Sequence, residues 1–401
     1  MTTIPLIVSV DDHVIEPPNV WTDRLPAAQR EAGPRVVDRP LAHISYVGGV
    51  LSWAEGDAPG DGPMTSWWWF EDLHYPMVRT HAAVGFPRDQ LQMTGITYDE
   101  MIPGAWQLEP RLADMDRNHV EASLCFPSWI RFCGQALSEG KDKALGLACV
   151  RAYNDWMVEE WCGESGGRMI PLCIIPMWDV ALAAAEVRRN AARGVRAVAF
   201  SEIPPNLGLP SIHSGYWDPF FAACSETGTV VCMHIGSGSK MPSTSPDAPG
   251  AVGSALVHSN CTFSLVDYLM SGVFVRFPHL QVMYSEGQAG WLPYVLDRVD
   301  IVWEENRAWG GVADKVPEPP STYFRDHVTM CIFQDKVALQ SLDLIPVETI
   351  TYEVDYPHSD STFPRTLELA GAHMATLNQH QIDLICRGNA IRLLGLDHLA
   401  S

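Results

Sequence analysis

Basic side chains are scarce in this sequence, and their scarcity excludes several classes of partner. The 401 residues contain 27 Lys and Arg against 48 Asp and Glu, which gives a formal net charge of −21. The densest basic stretch, Arg188 to Arg196, is typical of the solvated face of one helix. Nucleic acids and anionic membranes both require clustered cations on a protein surface. We therefore expect neither a nucleic-acid partner nor a membrane partner.

Long hydrophobic runs and closely paired cysteines are also lacking. The longest apolar stretch, Met169 to Ala185, is interrupted by two prolines and an aspartate, whereas a membrane-spanning helix needs about 20 apolar residues. The apolar run Ile4 to Val10 lacks the preceding basic residue and the cleavage site of a secretory signal. The ten cysteines form no Cys-x-x-Cys pair and lie mostly in apolar runs, which is typical of reduced, buried thiols. We expect a cytoplasmic protein.

The sequence does contain a regular alternation of short apolar runs and helical segments. Eight runs have the composition of strands buried on both faces: Leu6–Asp11, Val120–Phe126, Met169–Ile175, Ala197–Phe200, Thr229–His234, Gln281–Ser285, Val328–Phe333 and Thr349–Val354. Helical periodicity occupies Lys141–Glu164, Val180–Ala192, Trp291–Trp303 and Gln381–Leu394. Eight β/α units predict an α/β fold, a single (β/α)₈ TIM barrel over residues 1–401. A doubly wound open sheet is the alternative.

Two segments are longer than ordinary connections between a strand and a helix. Residues of about 34–101 follow the first predicted strand and include Trp67 to Phe70, an aromatic run; residues of about 237–253 follow the fifth and are rich in Ser, Pro and Gly. In a barrel, both insertions lie as long loops at the C-terminal mouth, where active sites form. We expect them to wall a pocket for a large ligand. For the aromatic run, a homodimer contact is the alternative.

Side chains that can bind a metal follow three of the predicted strands. Asp11 and His13 alternate on one side of the first strand, His234 ends the fifth and Asp355 follows the eighth. A single Asp or His at such a position is common in proteins without a metal. The shared position of all four residues at strand ends, however, predicts one divalent metal centre. Two imidazoles and two carboxylates suit Zn²⁺ and also accept Mn²⁺ or Co²⁺. Glu16 is either a further ligand or a partner that orients His13.

These residues also resemble the metal-dependent amidohydrolase superfamily, and within it the amidohydrolase-2 branch that includes aminocarboxymuconate semialdehyde and resorcylate-type decarboxylases. The segments that carry the resemblance span nearly the whole chain: Asp11–Trp21, Arg111–Asp116, Gly194–Phe200, Tyr216–Phe220, Asp355–His358 and Gly388–Ala390. The resemblance implies a distorted TIM barrel with one catalytic divalent ion on the acid/His pair of strand one, the His of strand five and the Asp of strand eight. Two positions depart from it. Better-studied members often have a His at Asp11, and many have a His after strand six, where Glu286 is a candidate catalytic replacement.

Two chemistries agree with such a site. In the first, metal-bound hydroxide cleaves an amide or related carbonyl bond, Asp355 transfers the proton, and His358 orients Asp355 or donates to the oxyanion. The alternative is nonoxidative decarboxylation of an aromatic or muconate-type acid. That reaction needs a cationic clamp, for which the predicted mouth offers only Arg131, Lys240 and Arg325. Because these basic residues are few, the sequence favours hydrolysis.

The resemblance also bears on the substrate. Members of the branch act in natural-product biosynthesis, including one that removes the follower peptide from bottromycin precursors, so a small-molecule or peptide substrate of that kind is expected. A non-enzymatic binding protein with a structural metal is a further alternative. Structural zinc sites are usually rich in cysteine, and the predicted ligand set contains none.

Overall fold

The computed structural model describes residues 2–400, and within them eight strand positions close into a parallel barrel. The strands are, in chain order, β1 (Ile7–Val14), β2 (Arg35–Val47), β3 (Val50–Glu55), β4 (Met64–Phe70), β5 (Leu73–Pro76), β6 (Val120–Pro127), β7 (Met169–Ile170), β8 (Leu172–Cys173), β9 (Ala197–Ala199), β10 (Val230–His234), β11 (Val282–Ser285), β12 (Val328–Ile332) and β13 (Ile350–Tyr352). The ladder runs β1-β6-β7 and then β8-β9-β10-β11-β12-β13. Pro171, which has no N–H to donate, separates β7 from β8, and these two short strands share the third position.

Backbone hydrogen bonds between the first and last strand positions close the ring. The amide of Asp355 donates to the carbonyl of Asp11 at 2.8 Å, and the amide of His13 donates to the carbonyl of Tyr356 at 2.6 Å. All eight predicted strands are present in the predicted order, so the TIM barrel is confirmed and the open sheet is wrong. The barrel strands are almost entirely buried, as continuous apolar runs require.

Helices surround the barrel in the connections between its strands. They are α1 (Leu108–Arg117), α2 (Gln135–Glu139), α3 (Lys143–Trp156), α4 (Val180–Ala191), α5 (Asp218–Thr227), α6 (Gly250–Leu256), α7 (His258–Ser271), α8 (Val273–Arg276), α9 (Leu292–Glu305), α10 (Pro320–His327), α11 (Lys336–Gln340), α12 (Thr366–His373), α13 (Gln379–Asp383) and α14 (Asn389–Leu394). The carboxylates of Asp142 and Asp179 accept first-turn amides and so begin α3 and α4. Among residues 2–400, no helix has the length and apolar character that crossing a membrane requires.

The first insertion contains an antiparallel sheet, ordered β3-β2-β4-β5, in a segment that the sequence analysis treated as a loop. Its strand β4 carries the aromatic run. Trp67 and Trp68 are fully buried, and Trp68 stacks on Trp129 with ring centroids 4.9 Å apart. Large aromatic rings gain most from complete removal from water. Trp67, Trp68 and Phe70 therefore pack in the core beneath the mouth, so these rings are not the predicted substrate wall, while Trp69 is half-buried. A homodimer stays a prediction.

The two insertions meet above the barrel. The hairpin formed by β2 and β3 turns at Gly48 and Gly49, which both have positive φ angles, so glycine suits both positions. The amide of Gly48 then donates to the carbonyl of Ala248 at 2.9 Å, within the second insertion. Both segments therefore lie at the C-terminal mouth, and together they cover part of it.

Candidate metal centre and pocket

Four side chains converge at the C-terminal end of the barrel. They are Asp11 and His13 on β1, His234 at the end of β10, and Asp355 just after β13. The Nε2 atom of His13 lies 3.4 Å from Asp355 Oδ1 and 3.6 Å from Asp11 Oδ1. The Nε2 atom of His234 lies 3.4 Å from Asp11 Oδ2. The structure thus brings together the four residues that the sequence predicts as metal ligands.

The spacing of these atoms fits a divalent ion. Two ligand atoms that each bind one ion at about 2.0–2.2 Å, with tetrahedral angles, lie about 3.3–3.6 Å apart. Within residues 2–400, both oxygens of Asp11 and the Nε2 atoms of His13 and His234 lack hydrogen-bond partners, although these side chains are at most 1% exposed. Nδ1 of His234 donates to the carbonyl of Ile235 at 2.6 Å, which turns the lone pair of Nε2 toward the cluster. The donor set therefore fits a cation.

Burial shifts the acidity of the whole cluster toward neutral forms. Burial, followed by repulsion from Glu353, raises the pKa of Asp11 and of Asp355 well above the ordinary value. Burial lowers the pKa of His13 far below its ordinary value and that of His234 to about 3. The imidazoles are therefore neutral, which is the form that binds metal. A bound cation would reduce the electrostatic repulsion between these closely spaced carboxylates.

Both other predicted catalytic residues border this cluster. Nδ1 of His358 lies 3.0 Å from Asp355 Oδ1, and its ring stacks on that of His13 with centroids 3.6 Å apart. Oε2 of Glu286 lies 3.6 Å from His234 Nε2. Asp355 and Glu286 have φ angles of 54° and 60°, a region that side chains other than glycine rarely adopt. Such strained backbone concentrates at functional sites.

Glu16 does not join the cluster. Its buried carboxylate accepts hydrogen bonds from the amides of Ser128 at 3.0 Å and Trp129 at 3.1 Å, so it fixes the loop that follows β6. Neither the prediction that Glu16 binds the metal nor the prediction that it orients His13 agrees with these contacts. The physical reason is that Glu16 lies beyond the end of β1, where strand alternation no longer sets the direction of a side chain.

A cavity of about 900 Å³ opens above the centre and is walled by both insertions. The first insertion contributes Trp53 and Tyr75, and the second contributes residues 239–246 apart from Pro242. The loop after β6 adds Trp129 and Phe132 to the wall. His358 reaches the lining and connects the cavity to Asp355. The wide aromatic and polar wall is therefore present, although Trp53 and Trp129 supply it in place of the buried Trp67 and Trp68.

Two of the three candidate cations lie on this wall. Arg131 and Lys240 line the cavity, and Arg131 donates to the hydroxyl of Ser239 at 3.0 Å and pairs with Glu139. Arg325 lies in α10, which leads into the N-terminal end of β12. It is therefore at the opposite end of the barrel, and its prediction as a mouth residue is wrong.

Sequence reasoning missed two residues that lie behind Asp11. Glu353 follows β13 directly, and Cys331 is on β12; both are fully buried. Candidate ligand atoms of Asp11, Cys331 and Glu353 lie within 4.8 Å of one another. The signal for Glu353 was its position, because it lies near the end of the predicted strand Thr349–Val354 and precedes Asp355 by two positions.

Known proteins share this architecture. The protein is similar to the amidohydrolase map2389c from Mycobacterium avium subsp. paratuberculosis K-10, with a TM-score of 0.70, 20% identity, and 98% of this chain and 99% of that chain covered. It is similar to 5-carboxyvanillate decarboxylase LigW from Sphingomonas paucimobilis, with a TM-score of 0.61, 18% identity, and 97% and 99% covered. A dihydroxybenzoic acid decarboxylase from Polaromonas sp. JS666, whose structure contains manganese and an inhibitor, has a TM-score of 0.58, 18% identity, and 73% and 87% covered.

The likeness to these structures concerns the fold, since the identities are low. The sequence itself matches the profile of the amidohydrolase family, Amidohydro_2, over residues 66–396. That range includes His234 and Asp355 of the candidate metal centre, and it covers most of the barrel. The resemblance found in the sequence is thereby confirmed, and the chain belongs to the amidohydrolase family.

Proposed function

We propose that this protein is a metal-dependent, nonoxidative decarboxylase of an aromatic or conjugated acid. The proposal reverses the order in which the sequence ranked the two chemistries. The sequence favoured hydrolysis because it offered only Arg131, Lys240 and Arg325 at the mouth; two of these, Arg131 and Lys240, do line the cavity above the cluster, so a cationic clamp for a carboxylate is present. Two of the structural neighbours described above are decarboxylases of aromatic acids, which also supports this choice.

The observation that carries the proposal is the convergence of four ligand-type side chains beneath an aromatic cavity, to which His358 connects them. Asp11, His13, His234 and Asp355 would hold the ion, for which we expect zinc, with manganese or cobalt as alternatives. When bound, such an ion supplies Lewis acidity that polarises an oxygen of the acid. The remaining work of binding, orientation and proton transfer belongs to the side chains around it.

The walls provide the groups that bind such an acid. The rings of Trp53, Trp129 and Phe132 offer faces for an aromatic or conjugated substrate. Arg131 and Lys240 offer positive charge to a carboxylate, and a hydrogen bond between ionised groups is stronger than one between neutral groups. The substrate class is therefore an organic anion with a flat apolar body.

Proton delivery is the chemical task that decarboxylation leaves to the protein. As the bond to the carboxylate breaks and carbon dioxide leaves, the carbon keeps the electron pair and takes up one proton. His358 lies on the cavity wall and contacts Asp355 at 3.0 Å. The Asp355–His358 pair can hold that proton and pass it to the carbon, a role that general acids fill at hydrogen-bond distance.

Hydrolysis of an amide is the second candidate, and the size of the cavity favours it. At about 900 Å³, the cavity is near the upper end of the range of about 300–1,000 Å³ that is usual for ligand pockets. A single substituted ring does not need that space. A peptide or natural-product intermediate would use it, and this role stays a prediction.

One experiment separates the two candidates. The protein loaded with zinc, or in parallel with manganese, is incubated with a panel of hydroxybenzoates and carboxyvanillate-type acids and, separately, with N-acyl amino acids and short peptides. Release of carbon dioxide from at least one acid, absent in the Asp355→Asn variant, is the expected result. Release of amine from an amide, with no carbon dioxide from any acid, would overturn the proposal in favour of hydrolysis.

A further inference from the structure

The group behind Asp11 has the chemistry of a second metal site. Cys331 and Glu353 are fully buried, and the thiol of Cys331 contacts Oε2 of Glu353. The other oxygen, Oε1 of Glu353, has no hydrogen-bond partner within residues 2–400. One candidate ligand atom from this thiol and one from each carboxylate, those of Asp11 and Glu353, lie within 4.8 Å of one another.

The backbone holds two of these groups in place. The amide of Glu286 donates to Oε2 of Glu353 at 2.9 Å and also approaches the sulfur of Cys331 at 3.2 Å. Glu286 directly follows β11 and has a positive φ angle. Its amide therefore links the thiol on β12 and the carboxylate after β13 to the end of a third strand. Hydrogen bonds from a second layer of groups are what usually orient metal ligands.

Charge provides the second, independent argument. Four carboxylates are gathered at the floor of the barrel, those of Asp11, Glu286, Glu353 and Asp355. Within residues 2–400, no Lys or Arg nitrogen lies within 4.0 Å of any of them, and their ion-pair contacts are to histidines alone. One divalent ion would offset two of the four negative charges. The other two carboxyl groups would then have to stay protonated, because two uncompensated buried charges are strongly unfavourable, whereas a second ion would pair with them as carboxylates.

We infer that Asp11 bridges two metal ions, the one proposed above with the histidines and a second one bound by Cys331 and Glu353. A carboxylate has enough lone pairs to bind one ion through each oxygen. A thiolate together with carboxylates suits zinc or cobalt, so the second ion is expected to be zinc. The inference rests on the metal centre proposed above but not on the reaction or the substrate.

The test measures metal content and does not require a substrate. Protein freed of metal by chelation is titrated with zinc and analysed for ions per chain, and a parallel sample is loaded with cobalt and examined for a thiolate-to-cobalt absorption band. Wild type should bind two ions and show the band. Cys331→Ser should lose the band, and both Cys331→Ser and Glu353→Gln should bind one ion. Cys386→Ser is the matched control, because Cys386 is equally buried but packs against Met374 away from the cluster.

Two results would overturn the inference. The first is a single ion per chain in wild type at saturating zinc, without a thiolate band. The second is a count of two ions that neither Cys331→Ser nor Glu353→Gln reduces. His234→Ala distinguishes the sites, since it should remove the first ion and leave the cobalt band. If Cys331→Ser fails to fold, as a melting curve would show, Glu353→Gln decides the question because it keeps the shape of the side chain.

Discussion

The candidate metal centre, which is the floor, and the cavity above it, which is the mouth, are formed by different kinds of structure. At the floor, the metal-type side chains are at most 1% exposed and stand on or directly after parallel strands. At the mouth, a four-stranded antiparallel sheet and residues 237–253 enclose the cavity, and Val50 at the hairpin tip is 62% exposed. Regular elements hold groups more accurately, whereas loops vary more easily. Changes at the floor should therefore abolish the reaction, and changes at the mouth should alter which substrate binds.

The largest effect is expected from Asp355→Asn at the floor. The change keeps the shape of the side chain but removes its charge and its ability to exchange a proton, so kcat should fall by about 10²–10⁴-fold while the fold is retained. The measurement is kcat on whichever acid of the panel above releases carbon dioxide, with circular dichroism as the check on folding. Asp247→Asn, an exposed carboxylate of the mouth loop, is the control and should retain full activity. A kcat for Asp355→Asn within tenfold of wild type would contradict this role.

Removal of the metal should have the second-largest effect, a loss of thermal stability. A ligand that binds only the folded state at 100 times its Kd stabilises it by about 2.7 kcal/mol, so chelation should lower the unfolding midpoint by several degrees. His234→Ala should lose the part of this stabilisation that the ion bound by the histidines provides, even when zinc is added. Thermal melts with zinc and with chelator measure it. Superimposed melting curves for the loaded and stripped protein would mean that the cluster binds no ion.

Arg131→Ala tests whether the mouth selects acids. Loss of a charged hydrogen bond to a carboxylate should raise KM by about tenfold or more, and kcat should change much less. Arg325→Ala is the matched control because Arg325 lies at the opposite end of the barrel. Equal KM and kcat values for the two variants would show that Arg131 does not bind the substrate. They would also contradict the expectation that mouth residues select the substrate.

The smallest effect concerns Glu202, which supports the mouth loop. Its carboxylate accepts hydrogen bonds from the amide of Gly236 at 2.9 Å and from Asn260 at 3.1 Å, and burial raises its pKa from 4.5 to about 7. A carboxyl with a raised pKa in the folded state stabilises the protein below pH 4.5, and that contribution is lost as the pH rises through 7. Glu202→Gln cannot titrate.

The difference in unfolding midpoint between Glu202→Gln and wild type should therefore shift in favour of the variant between pH 5 and pH 8. Melting curves of both proteins at several pH values within this range measure the shift. A difference that does not change with pH would show that Glu202 remains ionised throughout.

The barrel could be predicted from the sequence because its strands are buried on both faces. Such strands appear as continuous apolar runs, and all eight were found together with their order. The antiparallel sheet of residues 35–76 was not found. Its strands β2 and β3 are half exposed, with polar residues between apolar ones, and the position of Pro40 within β2 argues against a strand. Pairing between these strands decides their structure, and a single sequence does not reveal that pairing.

The candidate site was predictable from strand alternation and from the residues that follow strand ends, although not every residue beyond a strand joined it. Asp11 and His13 share one side of β1, and the ends of β10 and β13 supply His234 and Asp355. Glu16 lies past the strand end and serves the loop after β6 instead. Cys331 gave no signal, because a cysteine in an apolar run is usually an inert core residue.

The hydrogen bond from the amide of Asp355 to the carbonyl of Asp11 joins the first strand position to the last. The candidate ligands on the first strand are synthesised early, and Asp355, which follows the last strand, is synthesised late. A chain still on the ribosome, before its last strand emerges, carries Asp11, His13 and His234 but lacks Asp355 and the closing strand. Because N-terminal parts leave the ribosome first, the full ligand set exists only after nearly the whole barrel has been made. Under the proposed function, tight binding of the ion would therefore mark a completed chain, and an incomplete chain would release the ion.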